Sequence, residues 1–355
     1  MHAPSPPPLN PSASTAKKRL KTALAWALGL GLLAWLLHRT PLAEVRAALL
    51  QPGVGTWALT LGGLLTSYGL RAARLQVVLD LDAHQQAPRR WLGLRTDALR
   101  VILMHNAAVN LLPMRAGELS FPWLASRELH LPVPRAVACL LWMRVQDLIV
   151  LVVLGLLLWP GVPTLARIGA LLAMLLGWWA STRLMRAWFA RHTDPAQDEQ
   201  AGKLGHWMHK LRHALLEPAH HRPLAWILTL SNWTLKLAAG AFLLSAITGA
   251  AWPTAWAGAL GGELAAVIPL QGPAGFGTYE AGVWVGIAAH LPAQSPVLGR
   301  AVTAALALHV CFLLCAVLAG VLALILSRVQ APSRRQAPPN RATANPSRAP
   351  DCQRK

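Results

Sequence analysis

The residues with chemistry to offer in this 355-residue chain gather at two places. Asn110, Pro113, Arg115, Gly117 and Glu118 stand close together, as do Pro269, Gln271, Gly272, Pro273, Gly275, Gly277, Thr278 and Glu280. Each group mixes a carboxylate and an amide with proline and glycine, the two residues that interrupt regular helix. A guanidinium such as that of Arg115 grips phosphate through paired N–H donors. A carboxylate meets an amine or carries a proton. A helix that restarts after a break presents unpaired N–H groups and a partial positive charge, which suit a phosphate or carboxylate. Plainer readings stand beside these. Glu118 and Glu280 equally suit the first turn of a helix, where the dipole favours a carboxylate. Arg115 equally suits a membrane interface, its stem buried and its head in water.

Other polar residues are scattered. Arg144 and Asp147 are three apart, on one helix face, and are expected to form an intramembrane ion pair. Arg71 and Arg74 fall near the end of an apolar stretch and are assigned to its interface. Lys236 and His309 stand alone in apolar stretches and are expected to bond a neighbouring helix. Glu263 lies shortly before Pro269, and His105 with Glu118 is the one grouping that suggests enzymatic proton transfer. Cys311 and Cys315 share a helix face without zinc-spaced partners, so no metal is expected and packing is their reading. The Gly272–Gly277 stretch has no following Gly-Lys-Ser/Thr and is not a phosphate loop. No cofactor is expected.

The elements that must position these residues are membrane helices. Hydrophobic residues make up 54% of the chain, charged residues 13%, and mean hydropathy is +0.40; soluble domains carry about 25% charge. The net charge of +19 sits between long apolar runs. That arrangement orients loops in a membrane; it is not the basic face of a nucleic-acid binder. Apolar runs at 20–37, 54–79, 136–159, 165–184, 224–247 and 297–326 predict about six spans, with both termini cytoplasmic. A retained first span is favoured over a cleaved signal, because run 20–37 is longer than a signal core. Trp57, Trp159, Trp188, Trp252 and Trp256 fall near span ends.

Between the spans, residues 98–135 and 252–292 are apolar but broken, and flanking charge makes them re-entrant hairpins of opposite orientation. The predicted fold is therefore all-α: a polytopic helical membrane domain over 20–327, with disordered basic tails at 1–19 and 328–355. A cytoplasmic loop at 183–222 carries Leu204, Trp207, Met208, Leu211 and Leu215 at helical spacing, which suits a surface helix.

Irregular backbone at membrane depth is tolerated only where protein or a wet cavity satisfies it. Two such breaks in matching positions point to a binding region near the midplane. At these breaks the sequence resembles the lysylphosphatidylglycerol synthase transmembrane-region family. The residues that carry the resemblance are Asn110-Leu111-Leu112-Pro113-Met114-Arg115-Ala116-Gly117-Glu118, Arg144 to Asp147, and Pro273-Ala274-Gly275-Phe276-Gly277 with Glu280. Phe121-Pro122 stands where the family often has an arginine, and Pro273-Ala274-Gly275 where it often has Pro-Gly-Gly. The resemblance implies a flippase-like domain of the bacterial inner membrane, without the soluble synthase part. Membrane lipid is the expected partner and translocation the expected role. Two alternatives stay open: an intramembrane enzyme acting on a lipid phosphate, and a non-catalytic partner of a lipid-modifying enzyme or glycosyltransferase. The sequence sets no oligomeric state.

Overall fold

The computed structural model describes residues 42–84, 90–112, 117–159, 161–191, 211, 214, 222–267 and 273–330. The first apolar run and both tails lie outside these residues, as does most of the 183–222 loop. Of that loop, Leu211 and Ala214 are buried against Ala138.

The described chain is a helical bundle. Its elements are α1 (Leu42–Leu50), α2 (Val54–Leu79), a two-stranded ribbon of β1 (Arg90–Trp91) and β2 (Leu94–Arg95), α3 (Thr96–Leu111), α4 (Ser120–Glu128), α5 (Val133–Leu158), α6 (Thr164–Arg191), α7 (Pro223–Thr248), α8 (Trp252–Ala265), α9 (Thr278–Ala288) and α10 (Pro296–Gln330). Proline opens α5, α7, α8 and α10, where its missing N–H has no helical partner to lose. Gly249, at φ +73°, closes α7 in the left-handed conformation that only glycine adopts freely.

Three described helices are long and apolar enough to cross a membrane: Val133–Leu157, Pro223–Thr248 and Pro296–Arg328. A fourth crossing results if α1 and α2, bent by 84°, form one span. The apolar part of α6, Thr164–Leu176, is shorter. Apolar side chains such as Leu141, Leu148, Leu175, Leu230 and Leu324 face outward, as expected of helices solvated by lipid.

Helices α2 and α7 form the central antiparallel pair. Gly63 lies against Ala239, Arg71 meets Asn232, Arg74 meets Thr229, and Asp80 meets Arg222. At the opposite end Gln51 Nε2 donates to the carbonyls of Ala246 and Ile247. These contacts define two ends of the bundle, an Asp80 end and a Gln51 end.

The two broken segments are antiparallel helical hairpins that open at opposite ends of the bundle. The α3–α4 hairpin opens at the Asp80 end. There Arg95 Nη1 donates to Leu81 O at 2.6 Å and Arg100 pairs with Glu128 at 2.9 Å. Its inner turn brings Gly117 onto the backbone of Ala108 and Val109, leaving no space for a Cβ. The α8–α9 hairpin opens at the Gln51 end, where α8 follows directly on α7 and α9 turns into α10. A seam of Gly258, Gly261, Gly262, Gly282 and Gly286 lets its two backbones touch. At 1.5 Å per residue, α3, α4, α8 and α9 reach about 24, 13, 21 and 17 Å, all short of a hydrocarbon core of about 30 Å. Helix α10 packs on both hairpins, and α3 touches the Pro273–Gly275 turn of the second.

Candidate functional site

At the middle of α7, Asn232, Trp233 and Lys236 face a seam of polar groups that an apolar bundle must pair or exclude. Asp147 of α5 is its hub. Its Oδ1 accepts from Arg74 Nη1 at 2.6 Å and from Trp233 Nε1 at 2.9 Å, and its Oδ2 lies 3.3 Å from Arg144 Nη1. Arg144 in turn grips Glu118 through Nη2, at 2.7 and 2.8 Å to the two carboxylate oxygens. Arg74 also donates to Thr229 Oγ1 at 3.0 Å. A separate pair, Lys236 Nζ to Glu263 Oε2 at 2.5 Å, ties α7 to α8, with the ammonium also over the rings of Trp233 and Phe312.

Arg144 and Asp147 are thus the central links of a chain Glu118–Arg144–Asp147–Arg74, not a closed couple. The same contacts correct the interfacial assignment of Arg71 and Arg74. The Arg74 side chain is 5% exposed, because a carboxylate and a hydroxyl on neighbouring helices hold it inside. Arg71 also turns inward. It donates from Nη1 to Asn106 Oδ1 at 2.8 Å and from Nε to Asn232 Oδ1 at 3.2 Å, with its guanidinium 5.5 Å from the Trp233 ring centre. Among the described residues Arg71 pairs with no carboxylate. Among the described residues, four cations (Arg71, Arg74, Arg144, Lys236) therefore meet three carboxylates (Glu118, Asp147, Glu263) in this seam.

The remaining sequence-chosen residues divide between the hairpins. Asn110, on the last turn of α3, donates back to Asn106 O at 2.7 Å. Glu118 sits in a helical turn just ahead of α4, with His105 Nε2 3.8 Å away; His105 Nδ1 is 3.1 Å from Ser120 Oγ. In the second hairpin the chain passes through a tight turn at Pro273–Gly275. Gly275 and Gly277 have φ of +86° and +84°, and Ala274 takes +53° despite its Cβ. Thr278 Oγ1 donates to Gly275 O at 3.0 Å. Glu280 reaches back so that Oε2 accepts the Gly277 N–H at 2.6 Å, while Oε1 lies 2.6 Å from His309 Nδ1 on α10. Pro113, Arg115, Pro269, Gln271 and Gly272 lie outside the described residues. Among the described residues no group of three or more His, Cys, Asp or Glu could hold a metal ion.

These two hairpins and their seam fall within one continuous match to a known family. The family model described as the lysylphosphatidylglycerol synthase TM region matches residues 22–320. The chain belongs to that family. The lysylphosphatidylglycerol synthase TM region is an integral membrane domain, so the long apolar helices are spans and the chain is a multi-pass membrane protein. No curated protein matches the sequence.

Sequence reasoning missed Asn106, Thr229, Asn232 and Trp233 as partners of the charged residues. It also left Lys236, Glu263 and His309 without named counterparts. A usable signal was present: cations within apolar stretches require counter-groups on other apolar stretches, and Asp147, Glu263 and Glu280 are the acidic residues those stretches contain.

Proposed function

We propose that this chain is a lipid translocase of the bacterial cytoplasmic membrane, moving a phosphate-bearing headgroup between leaflets while the acyl chains stay in the bilayer. One observation carries the reading. At mid-height of the α2–α7 pair, between two hairpins that open at opposite ends, stands a guanidinium that among the described residues bonds amide oxygens and no carboxylate. A guanidinium held in a bundle interior by neutral amides retains unmet charge, and an arriving phosphate meets it with charge-assisted hydrogen bonds. Arg71 is the phosphate anchor in this reading, and its amide partners Asn106 and Asn232 set the guanidinium plane.

Asn110, Glu118 and Thr278 flank the path at the inner ends of the hairpins, and Arg115 and Gln271 join them by their place in the sequence. Glu118 and Arg144 have side chains 21% and 34% exposed, against 7% and 5% for Asp147 and Arg74, and they form the mouth of the seam. An amine on the headgroup competes there with Arg144 for Glu118. Membership of an integral membrane family related to a phospholipid-modifying synthase supports lipid as the cargo.

The test is leaflet exchange in proteoliposomes. Phosphatidylglycerol labelled on one acyl chain is incorporated, and an impermeant reductant is added outside. The purified protein is expected to expose inner-leaflet label that protein-free vesicles protect, and Arg71→Gln to slow that exposure. Equal protection with and without protein, across anionic and zwitterionic phospholipids, defeats the proposal.

A further inference from the structure

Glu280 and His309 sit where the second hairpin breaks, and their geometry counts protons. His309 Nε2 lies 2.9 Å from the carbonyl oxygen of Ala274. A carbonyl only accepts, so Nε2 carries the hydrogen. His309 Nδ1 lies 2.6 Å from Glu280 Oε1. A neutral imidazole whose hydrogen is on Nε2 presents a bare lone pair at Nδ1, and an ionised carboxylate presents another. The two would repel at that distance. A proton must lie between them, held either as imidazolium beside carboxylate or as imidazole beside carboxylic acid. Both forms are neutral overall, which suits side chains 1% and 6% exposed.

We infer that Glu280 and His309 together form a proton-binding site whose occupancy holds the turn at 273–277 closed against α10. The site organises the whole turn. His309 bonds Ala274 O and stacks on Phe276 with ring centres 4.3 Å apart, and Glu280 caps the Gly277 N–H. Removing the proton leaves a net negative charge and an imidazole with one N–H for two acceptors, so either Glu280 or Ala274 O loses its bond and the turn at 273–277 loses part of its hold on α10. The closed form thus binds one proton more than the open form. It is favoured at low pH and gives way as pH rises.

The neighbours do not supply that proton's charge from elsewhere. On α8, Glu263 is occupied by Lys236 of α7. Tyr279 on α9 and Cys311 on α10 flank the pair, and Tyr68 faces the same interior from α2. On α3, which touches the turn, His105 is directed to Ser120 and Glu118, Arg100 to Glu128 and Asp97 to Arg95. The inference does not depend on what the protein transports.

Its test uses Glu280→Gln, whose amide N–H donates to Nδ1 at any pH while its carbonyl still accepts from Gly277. A reporter cysteine replaces Thr278 in the full chain with its four native cysteines changed to alanine, reconstituted in nanodiscs. Labelling by a soluble maleimide is followed from pH 6 to pH 10, and the rate with Glu280 present is divided by the rate with Glu280→Gln, which cancels the thiol's own titration. An opening that releases one proton should make this ratio rise with pH, by up to about tenfold per pH unit. A ratio flat across the range overturns the inference. His309→Phe is the second variant: it should label fast at every pH, and labelling as slow as the protonated parent would equally overturn it.

Discussion

The two hairpins use one architectural device and opposite physics. The first, α3–α4, is held by charge: Arg100–Glu128 at its open end, Glu118–Arg144 at its inner turn, and the Asn106–Arg71 bond along its length. The second, α8–α9, is held by backbone contact along five glycines, with Lys236–Glu263 and the Glu280–His309 pair securing it to α7 and α10. Glycine seams gain dispersion contacts with little desolvation, so they make a rigid wedge. Ion pairs with partly exposed members contribute less and exchange partners more readily. On the proposed translocase reading the hairpins then have different parts: the first offers a charged mouth to a ligand, while the second supplies a wall whose turn the proposed proton site secures.

The largest expected effect comes from the residue that anchors the first hairpin indirectly. Asp147→Asn leaves the buried guanidinium of Arg74 without its carboxylate and removes Arg144's second partner. Breaking a buried pair in this way costs about 3–5 kcal/mol. The thermal midpoint in detergent should fall sharply, and the paired change Arg74→Met with Asp147→Leu should recover much of the loss, because well-packed apolar residues replace the pair. A small effect of Asp147→Asn would mean that charge does not hold this side of the molecule.

The second hairpin should respond to volume instead. In Gly286→Ala the new methyl would run into the backbone of Ala257 and Gly258, and in Gly282→Ala into Gly261. Overpacking of that kind costs about 1–3 kcal/mol. Gly299→Ala, in open space on α10, is the control and should be nearly silent. If both seam variants melt with the parent protein, the two helices do not touch as described.

Apolar run length alone located α2, α5, α7 and α10 within a few residues, because lipid demands long uninterrupted helices and Lys and Arg mark their ends. Pro113 and Gly117, and Pro269 through Gly277, identified the two breaks for the equally direct reason that these residues stop helices. The partners of the charges were not legible. Asp147 reads as the neighbour of Arg144 because sequence spacing shows only its own helix; that Arg74, seventy-three positions earlier, bonds it depends on how α2 and α5 both pack on α7. The same limit misplaced Arg71 and Arg74 at an interface. Glu280 shows both sides: its N-terminal position in α9 was readable, whereas the imidazole that shares it comes from another helix.

The smallest effect sharpens the contrast most. Glu118 and Arg144 are bonded at short distance, yet their side chains are 21% and 34% exposed, so screening limits what the contact contributes. A double-mutant cycle of Glu118→Gln and Arg144→Gln should give a coupling near 1 kcal/mol, the upper end for accessible pairs. The same cycle on Lys236→Met and Glu263→Leu, whose side chains are 16% and 7% exposed, should give a larger coupling because the pair is more enclosed. Equal couplings would place both hairpins in surroundings of the same polarity and remove the reason to assign the mouth to the first. A weaker Glu118–Arg144 coupling leaves that contact the one a charged ligand can most easily displace, as the proposed translocase reading requires.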